Sequence, residues 1–125
     1  MLTAPRVSPV FYQAIRCLRK KLPAAYPVRV RTVEKLTGRG LQDGENVGAT
    51  LGSCRFSPAT SKKTGYFSIS IVRGPETVMI DALLEEFSHC LAWSHRHDAE
   101  DNPNWHGPEW GVAYAEVVRM WRGVK

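Results

Sequence analysis

The sequence predicts a single domain of the α+β class, spanning residues 1–125. A length of 125 residues is that of one ordinary domain, and 43% hydrophobic residues allow a sizeable core. Along the chain, one helical pattern is followed by short alternating patterns, and two further helical patterns come last. Because helices and strands are grouped rather than interleaved, we expect an N-terminal helix, one small, mostly antiparallel sheet and two C-terminal helices.

The first element is predicted to be an amphipathic helix from Pro9 to Leu22. Ser8 suits the N-cap, Pro9 suits the first helical position, and Pro23 ends the pattern. Apolar residues at helical spacing form one stripe, made of Phe11, Ile15, Leu18 and Leu22. Basic residues occupy the opposite face, at Arg16, Arg19 and Lys20.

Three short strands and two helices are predicted after it. The strands are Tyr26–Val33, Leu51–Phe56 and Tyr66–Val72, of which the last alternates most clearly. The glycine-rich residues 38–52 are expected to form a loop or short hairpin. Thr77–His95 has the apolar periodicity of a long helix, and Glu109–Trp121 follows Pro108 as the last helix.

The net charge of +5 is unevenly distributed along the chain. Residues 1–40 hold nine basic side chains and one acidic one, whereas residues 81–125 hold four basic and eight acidic ones. A basic front half suits a polyanion such as nucleic acid. A solvated helix face accounts for it equally well, because no aromatic residues are interleaved with the basic cluster.

Composition and end signals exclude several classes of protein. No run of eighteen apolar residues exists, so we expect no membrane span. The N-terminus has no apolar segment typical of a secretory signal. Three cysteines are an odd number and too few for a disulfide framework. We therefore expect a reducing, cytoplasmic setting.

Candidate metal ligands concentrate in the second half, where all four histidines lie within residues 89–106. Glu85 and His89 are four residues apart on the predicted long helix, so their side chains converge on one point. Glu86 lies one step round the helix and can reach a ligand of that point. Zinc hydrolases use this geometry in a His-Glu-x-x-His helix, with a third ligand further along the chain. His106 is the natural third ligand here.

These residues resemble the SprT-like metalloproteases, the Spartan-type family. Their His-Glu-x-x-His helix and following His-Gly-Pro-x-aromatic segment are similar to Glu85–His89 and His106–Trp110, and the likeness covers roughly residues 60–122. The resemblance implies a small zincin-like domain, one zinc ion and peptide-bond hydrolysis by a metal-activated water. It also implies that Glu86 is the general base, His89 the second ligand and His106 the third.

The sequence departs from the family at Glu85, where the family has its first histidine. Glu85 can ligate the metal, giving a two-histidine, one-carboxylate site that suits zinc and also iron or manganese. Alternatively, the ligand is lost and the chain is a pseudoprotease, or else His95 or His97 replaces it. We favour ligation by Glu85, because a glutamate is about as long as a histidine and converges on His89 in the same way.

Two functions follow from these observations. The first is a metallopeptidase acting on a protein or peptide, including DNA-bound protein, with the substrate added to the edge of strand Tyr66–Val72. The second is an inactive module that binds nucleic acid or an acidic protein through the basic helix Pro9–Leu22. Either suits a compact bacterial or phage accessory protein. Cys90 is expected to be a buried small hydrophobe, and Glu109 either supports a ligand or favours its helix terminus.

Overall fold

The computed structural model describes residues 7–35, 51–93 and 107–124. These ranges contain three helices and three strands, which are α1 (Pro9–Lys21), β1 (Val28–Val33), β2 (Gly52–Ser57), β3 (Tyr66–Val72), α2 (Glu76–Ala92) and α3 (Pro108–Val124). The predicted α+β class is confirmed. His95, at the predicted end of the long helix, lies outside the described residues, and α2 itself ends at Ala92.

The sheet is mixed, with strand order β1-β3-β2. β3 pairs in parallel with β1 and antiparallel with β2, so the expectation of a mostly antiparallel sheet is corrected to one pairing of each kind. Alternation in a sequence reports which face of a strand is buried, and it carries no information on pairing direction. Because β3 is central, its edges are occupied, and the expectation that a peptide adds beside it is wrong.

The core lies between one face of the sheet and the helices. β3 contributes Phe67, Ile69 and Ile71, each at most 1% exposed, as its alternation predicts. The apolar stripe of α1 is buried against α2, as its helical spacing predicts, with Phe11, Ala14, Ile15 and Leu18. α3 adds Val117 and Trp121 to the same cluster. The face of the sheet that carries Phe67 therefore turns towards the helices, and the opposite face carries its polar residues.

Polar contacts fix the ends of α1. The Ser8 hydroxyl oxygen accepts a hydrogen bond from the Val10 amide at 3.1 Å, which confirms the predicted N-cap. The same hydroxyl donates to Glu76, at the start of α2. Near the other end, the Arg19 guanidinium donates to the Val28 carbonyl at 2.6 and 3.0 Å, which ties α1 to the first residue of β1. None of the helices in the described ranges combines the length and apolar character needed to cross a membrane.

Candidate metal and peptide-binding site

Helix α2 carries the predicted first ligand, base and second ligand on its last turns. Glu85 is exposed and His89 half-buried, and their spacing of four residues places them on one face of the helix. Glu86, one position round the helix, is turned towards the sheet, where it lies against Gly52 of β2. Glu85 and His89 therefore lie on an accessible face of α2, whereas Glu86 lies where the helix contacts the sheet.

Trp110, in the first turn of α3, packs over the face that carries Glu85 and His89. Its indole N–H donates to the Glu85 carbonyl oxygen at 3.3 Å, and its ring centroid lies 5.7 Å from that of His89. Tyr114, one turn later, stacks on Trp110 with centroids 4.8 Å apart and planes 9° from parallel. The start of α3 is therefore held beside the candidate ligand face.

The described residues supply two of the three predicted ligands. Carboxylate and imidazole donors are a set that zinc accepts, and Glu85 and His89 offer one of each. His106 lies outside the described residues, as do His95 and His97. Among residues 7–35, 51–93 and 107–124, no group of three side chains is placed to hold a metal ion. The donor chemistry present fits a metal that takes a further ligand from elsewhere in the chain.

Glu86 is a largely buried carboxyl group in a restricted space. A Cβ added at Gly52 would lie 3.0 Å from the Glu86 Cγ atom and 3.1 Å from the Ile71 Cδ1 atom, so a larger residue there would require these two side chains to shift. Burial, and secondly the charge of Glu85, raise the pKa of Glu86 from 4.5 to about 7. A carboxyl group with a pKa near the working pH is well matched to general acid–base catalysis.

The phenol of Tyr114 faces the acidic side of α2. Partial burial, followed by the negative charges of Glu85 and Asp81, raises the pKa of Tyr114 above its ordinary value of 10, while Arg122 acts in the opposite direction. The phenol is therefore a neutral hydrogen-bond donor across the physiological range. Glu109 is exposed and lines a shallow groove with Lys21 and Leu91, and both of its suggested roles stay predictions.

Two thiols meet where β2 crosses α2. The Sγ atoms of Cys54 and Cys90 are 3.4 Å apart, with Cys54 half-buried and Cys90 2% exposed. Burial, then the contact with Cys54, raises the pKa of Cys90 well above its ordinary value. The expectation that Cys90 is a buried small residue is confirmed, and its contact with Cys54 adds a feature that the sequence does not show.

A second polar surface lies on the face of the sheet opposite the helices. Arg29 of β1 and Arg55 of β2 are in register with Ser68 on either side of β3. The Arg31 guanidinium donates to the Ser70 hydroxyl at 2.9 Å, and the Arg29 guanidinium lies 4.1 Å from the centre of the Tyr66 ring. None of the three strands contains an acidic residue. Arg29 and Arg31 belong to the basic residues 1–40, and Arg55 of β2 extends their positive surface, the arginine face of the sheet, beyond that segment of the chain.

Two features of this region escape sequence reasoning. Gly52 stands at the boundary between the expected loop and the expected strand, and its contact with Glu86 joins residues far apart in the chain. Gly52 and Cys54 are two residues apart and share the inner face of β2. Residues with this spacing share a face in every strand, so the spacing does not by itself indicate a contact with α2. Comparisons of the chain with protein-family models, curated proteins and solved structures found no match.

Proposed function

We propose that the chain is a metal-dependent peptidase of SprT-like type. Glu85, His89 and His106 would hold one divalent ion, zinc in the first instance, and Glu86 would act as the general base. The observation that supports this most strongly is the packing of Trp110 over Glu85 and His89, because Trp110 follows His106 by only four residues in the chain. The family resemblance implies two of these ligands, His89 and His106, and Glu85 stands where the family has its first histidine.

The peptide substrate would lie along β2. Within the described residues β2 has a strand neighbour on one side, β3, so its other edge offers backbone groups to an extended chain. Gly52 brings this strand against Glu86 without an intervening side chain. A peptide paired with β2 would therefore pass close to the carboxyl group that accepts the proton.

Glu86 would move the protons of the reaction. A bound metal ion supplies Lewis-acid polarisation of the peptide carbonyl and makes water more acidic. Glu86 would accept a proton from the attacking water and pass it to the leaving amine, which are the two proton transfers of this reaction. Trp110 covers one side of the ligand face and holds the backbone of Glu85 in place.

Metal content after purification without added metal is the first test. We expect about one zinc ion per chain, lost in His106→Ala and retained in Glu86→Gln, which should nevertheless fail to cleave peptides. His95→Ala and His97→Ala are matched controls that should keep the metal. No metal in any of these proteins after reconstitution with excess zinc would overturn the site. Cleavage that persists in Glu86→Gln would overturn the mechanism.

The arginine face of the sheet supports a second candidate function, binding of nucleic acid. Arg29, Arg31 and Arg55 present positive charge across three strands that hold no acidic residue, which suits a phosphate backbone. This candidate needs no metal, so it also describes an inactive relative of the proteases. Arg19 is unsuitable for its test, because the Arg19 guanidinium is hydrogen-bonded to the Val28 carbonyl.

Salt-dependent binding decides this second candidate. Wild-type affinity for DNA should fall as salt rises, and Arg29→Glu with Arg55→Glu should weaken binding and flatten the slope. Arg119→Glu with Arg122→Glu, an equal charge change at two exposed positions on α3, is the matched control. Equal losses in both proteins would reject the sheet as the binding surface.

The cytoplasm, where thiols stay reduced, is the compartment that we propose for either function.

A further inference from the structure

Strand β2 touches helix α2 at two neighbouring points. Gly52 and Cys54 are two residues apart on the same face of β2, and Glu86 and Cys90 are one turn apart on the same face of α2. Gly52 lies against Glu86, and the Sγ atoms of Cys54 and Cys90 lie 3.4 Å apart. The pair of thiols thus bridges the two elements one helical turn from the proposed base.

We propose that Cys54 and Cys90 form an oxidation site, which a small-molecule disulfide converts into an intramolecular disulfide between β2 and α2. A disulfide needs a sulfur–sulfur distance of about 2.05 Å, so the gap must close by about 1.4 Å. Side-chain rotation at the two cysteines and a small approach of strand and helix can supply this. The inference goes beyond the proposed function and does not depend on it.

The exchange balances with glutathione disulfide as the oxidant. Cys54 is the more exposed thiol, so its thiolate attacks one glutathione sulfur, forms a mixed disulfide and releases one glutathione thiolate. The Cys90 thiol then gives up its proton, attacks the Cys54 sulfur and releases the second glutathione. The protein loses two electrons and two protons, and the oxidant is reduced to two glutathione molecules.

The third cysteine provides an internal control. Cys17 lies on α1 and is half-buried, while the other two thiols meet on β2 and α2. An intramolecular reaction between adjacent groups outpaces the intermolecular alternative by a large factor. Oxidation of the folded chain should therefore pair Cys54 with Cys90 and leave Cys17 as a thiol. In urea, where proximity is lost, Cys17 should enter the pairing as well.

Mass spectrometry and thiol counting of the metal-free protein treated with glutathione disulfide test the inference. The folded protein should lose two of its three thiols and about 2 Da, with Cys54 and Cys90 joined in the peptide map. Cys17→Ser should give the same bond. In Cys54→Ala, loss of the Cys90 thiol should be at least about tenfold slower, and Cys90→Ala should stop at the glutathione adduct on Cys54. Three thiols retained in the wild type, a stable adduct on Cys54, or bonds that involve Cys17 would each overturn the inference.

Discussion

Replacing Glu86 with glutamine should stabilise the metal-free protein at alkaline pH and leave it nearly unchanged in acid. Burial, and secondly the Glu85 charge, raise the pKa of Glu86 to about 7 in the folded chain, against 4.5 in the ordinary exposed group. The folded state therefore holds the proton more tightly than the unfolded state. The stability that this provides is fully present below about pH 4.5 and is lost as the pH rises through 7.

The size of the effect follows from the two pKa values. The difference between 4.5 and 7, at about 1.36 kcal/mol per pH unit, corresponds to about 3 kcal/mol in the free energy of unfolding. Glutamine has nearly the shape of the protonated acid and carries no charge at any pH. Glu86→Gln should thus match the wild type near pH 4.5 and exceed its stability by about 3 kcal/mol near pH 8.

Urea unfolding in the presence of a chelator, repeated at intervals between acid and alkaline pH, measures this difference. Asp81→Asn, which removes an exposed carboxylate from the same helix, should follow the wild-type curve. The stability of Glu85→Gln should lie between that of the wild type and that of Glu86→Gln at alkaline pH. This substitution removes the charge of Glu85, the smaller of the two causes of the raised pKa, and leaves Glu86 buried. Wild-type and Glu86→Gln curves that run parallel across the whole range would refute the assignment of a raised pKa to Glu86.

Two substitutions near the site have further expected outcomes. Gly52→Ala places a methyl group 3.0 Å from the Glu86 Cγ atom, so urea unfolding should show a loss of about 1–2 kcal/mol and peptidase assays a lower rate. Gly74→Ala, with nothing within 4 Å, should change neither quantity, and equal losses in both variants would contradict the contact. Trp110→Ala removes the hydrogen bond to the Glu85 carbonyl and the ring beside His89, so zinc affinity, measured by chelator competition, should fall about tenfold. Unchanged affinity would mean that Trp110 does not support the ligands.

Sequence patterns predict the elements of this fold well because each pattern reports a local requirement. The stripe on α1 predicts which side meets the core, and Phe11 and Leu18 are fully buried there. The alternation of β3 is equally direct. The direction of strand pairing is not predicted in this way. Inward-facing and outward-facing residues alternate in both β1 and β2, yet β1 runs parallel to β3 and β2 runs antiparallel to it. Direction depends on the connections between strands, which hydrophobic periodicity does not encode.

The candidate site also has one part that local sequence patterns predict and another part that depends on tertiary packing. Glu85 and His89 are four residues apart, so helix geometry alone brings them together, and this part is predictable. The contact of Gly52 with Glu86 and that of Cys54 with Cys90 each join a strand to a helix more than thirty residues away. Only the packing of the sheet against α2 creates them. The raised pKa of Glu86 follows from that packing. The sequence therefore predicts which carboxyl group is the candidate base, but it does not predict that this group is buried or that its pKa is raised.

An aromatic cluster at the opposite end of β2 from Gly52 sets the position of this strand. Phe56 packs against Trp93 at the end of α2, with centroids 4.2 Å apart, and against Tyr26 and Phe67 at 5.0 and 5.2 Å. β2 is thus held to α2 by Phe56 at one end and by the approach of Gly52 to Glu86 at the other. Loss of the contact between Phe56 and Trp93 should loosen β2, the strand that carries Cys54 and that we propose as the peptide-binding edge.

Hydrogen exchange of Phe56→Ala measures how far the aromatic cluster holds β2. Truncation of a half-buried phenylalanine should cost about 2 kcal/mol, and a local release of β2 should speed the exchange of its amides at least about tenfold more than that of β1 amides. Tyr12→Ala, at an aromatic residue 46% exposed on α1, is the matched control and should affect neither strand. Equal acceleration in β1 and β2 would show instead that the sheet opens as one unit. The position of Glu86 relative to the peptide edge would then depend on the whole core rather than on the aromatic end of one strand.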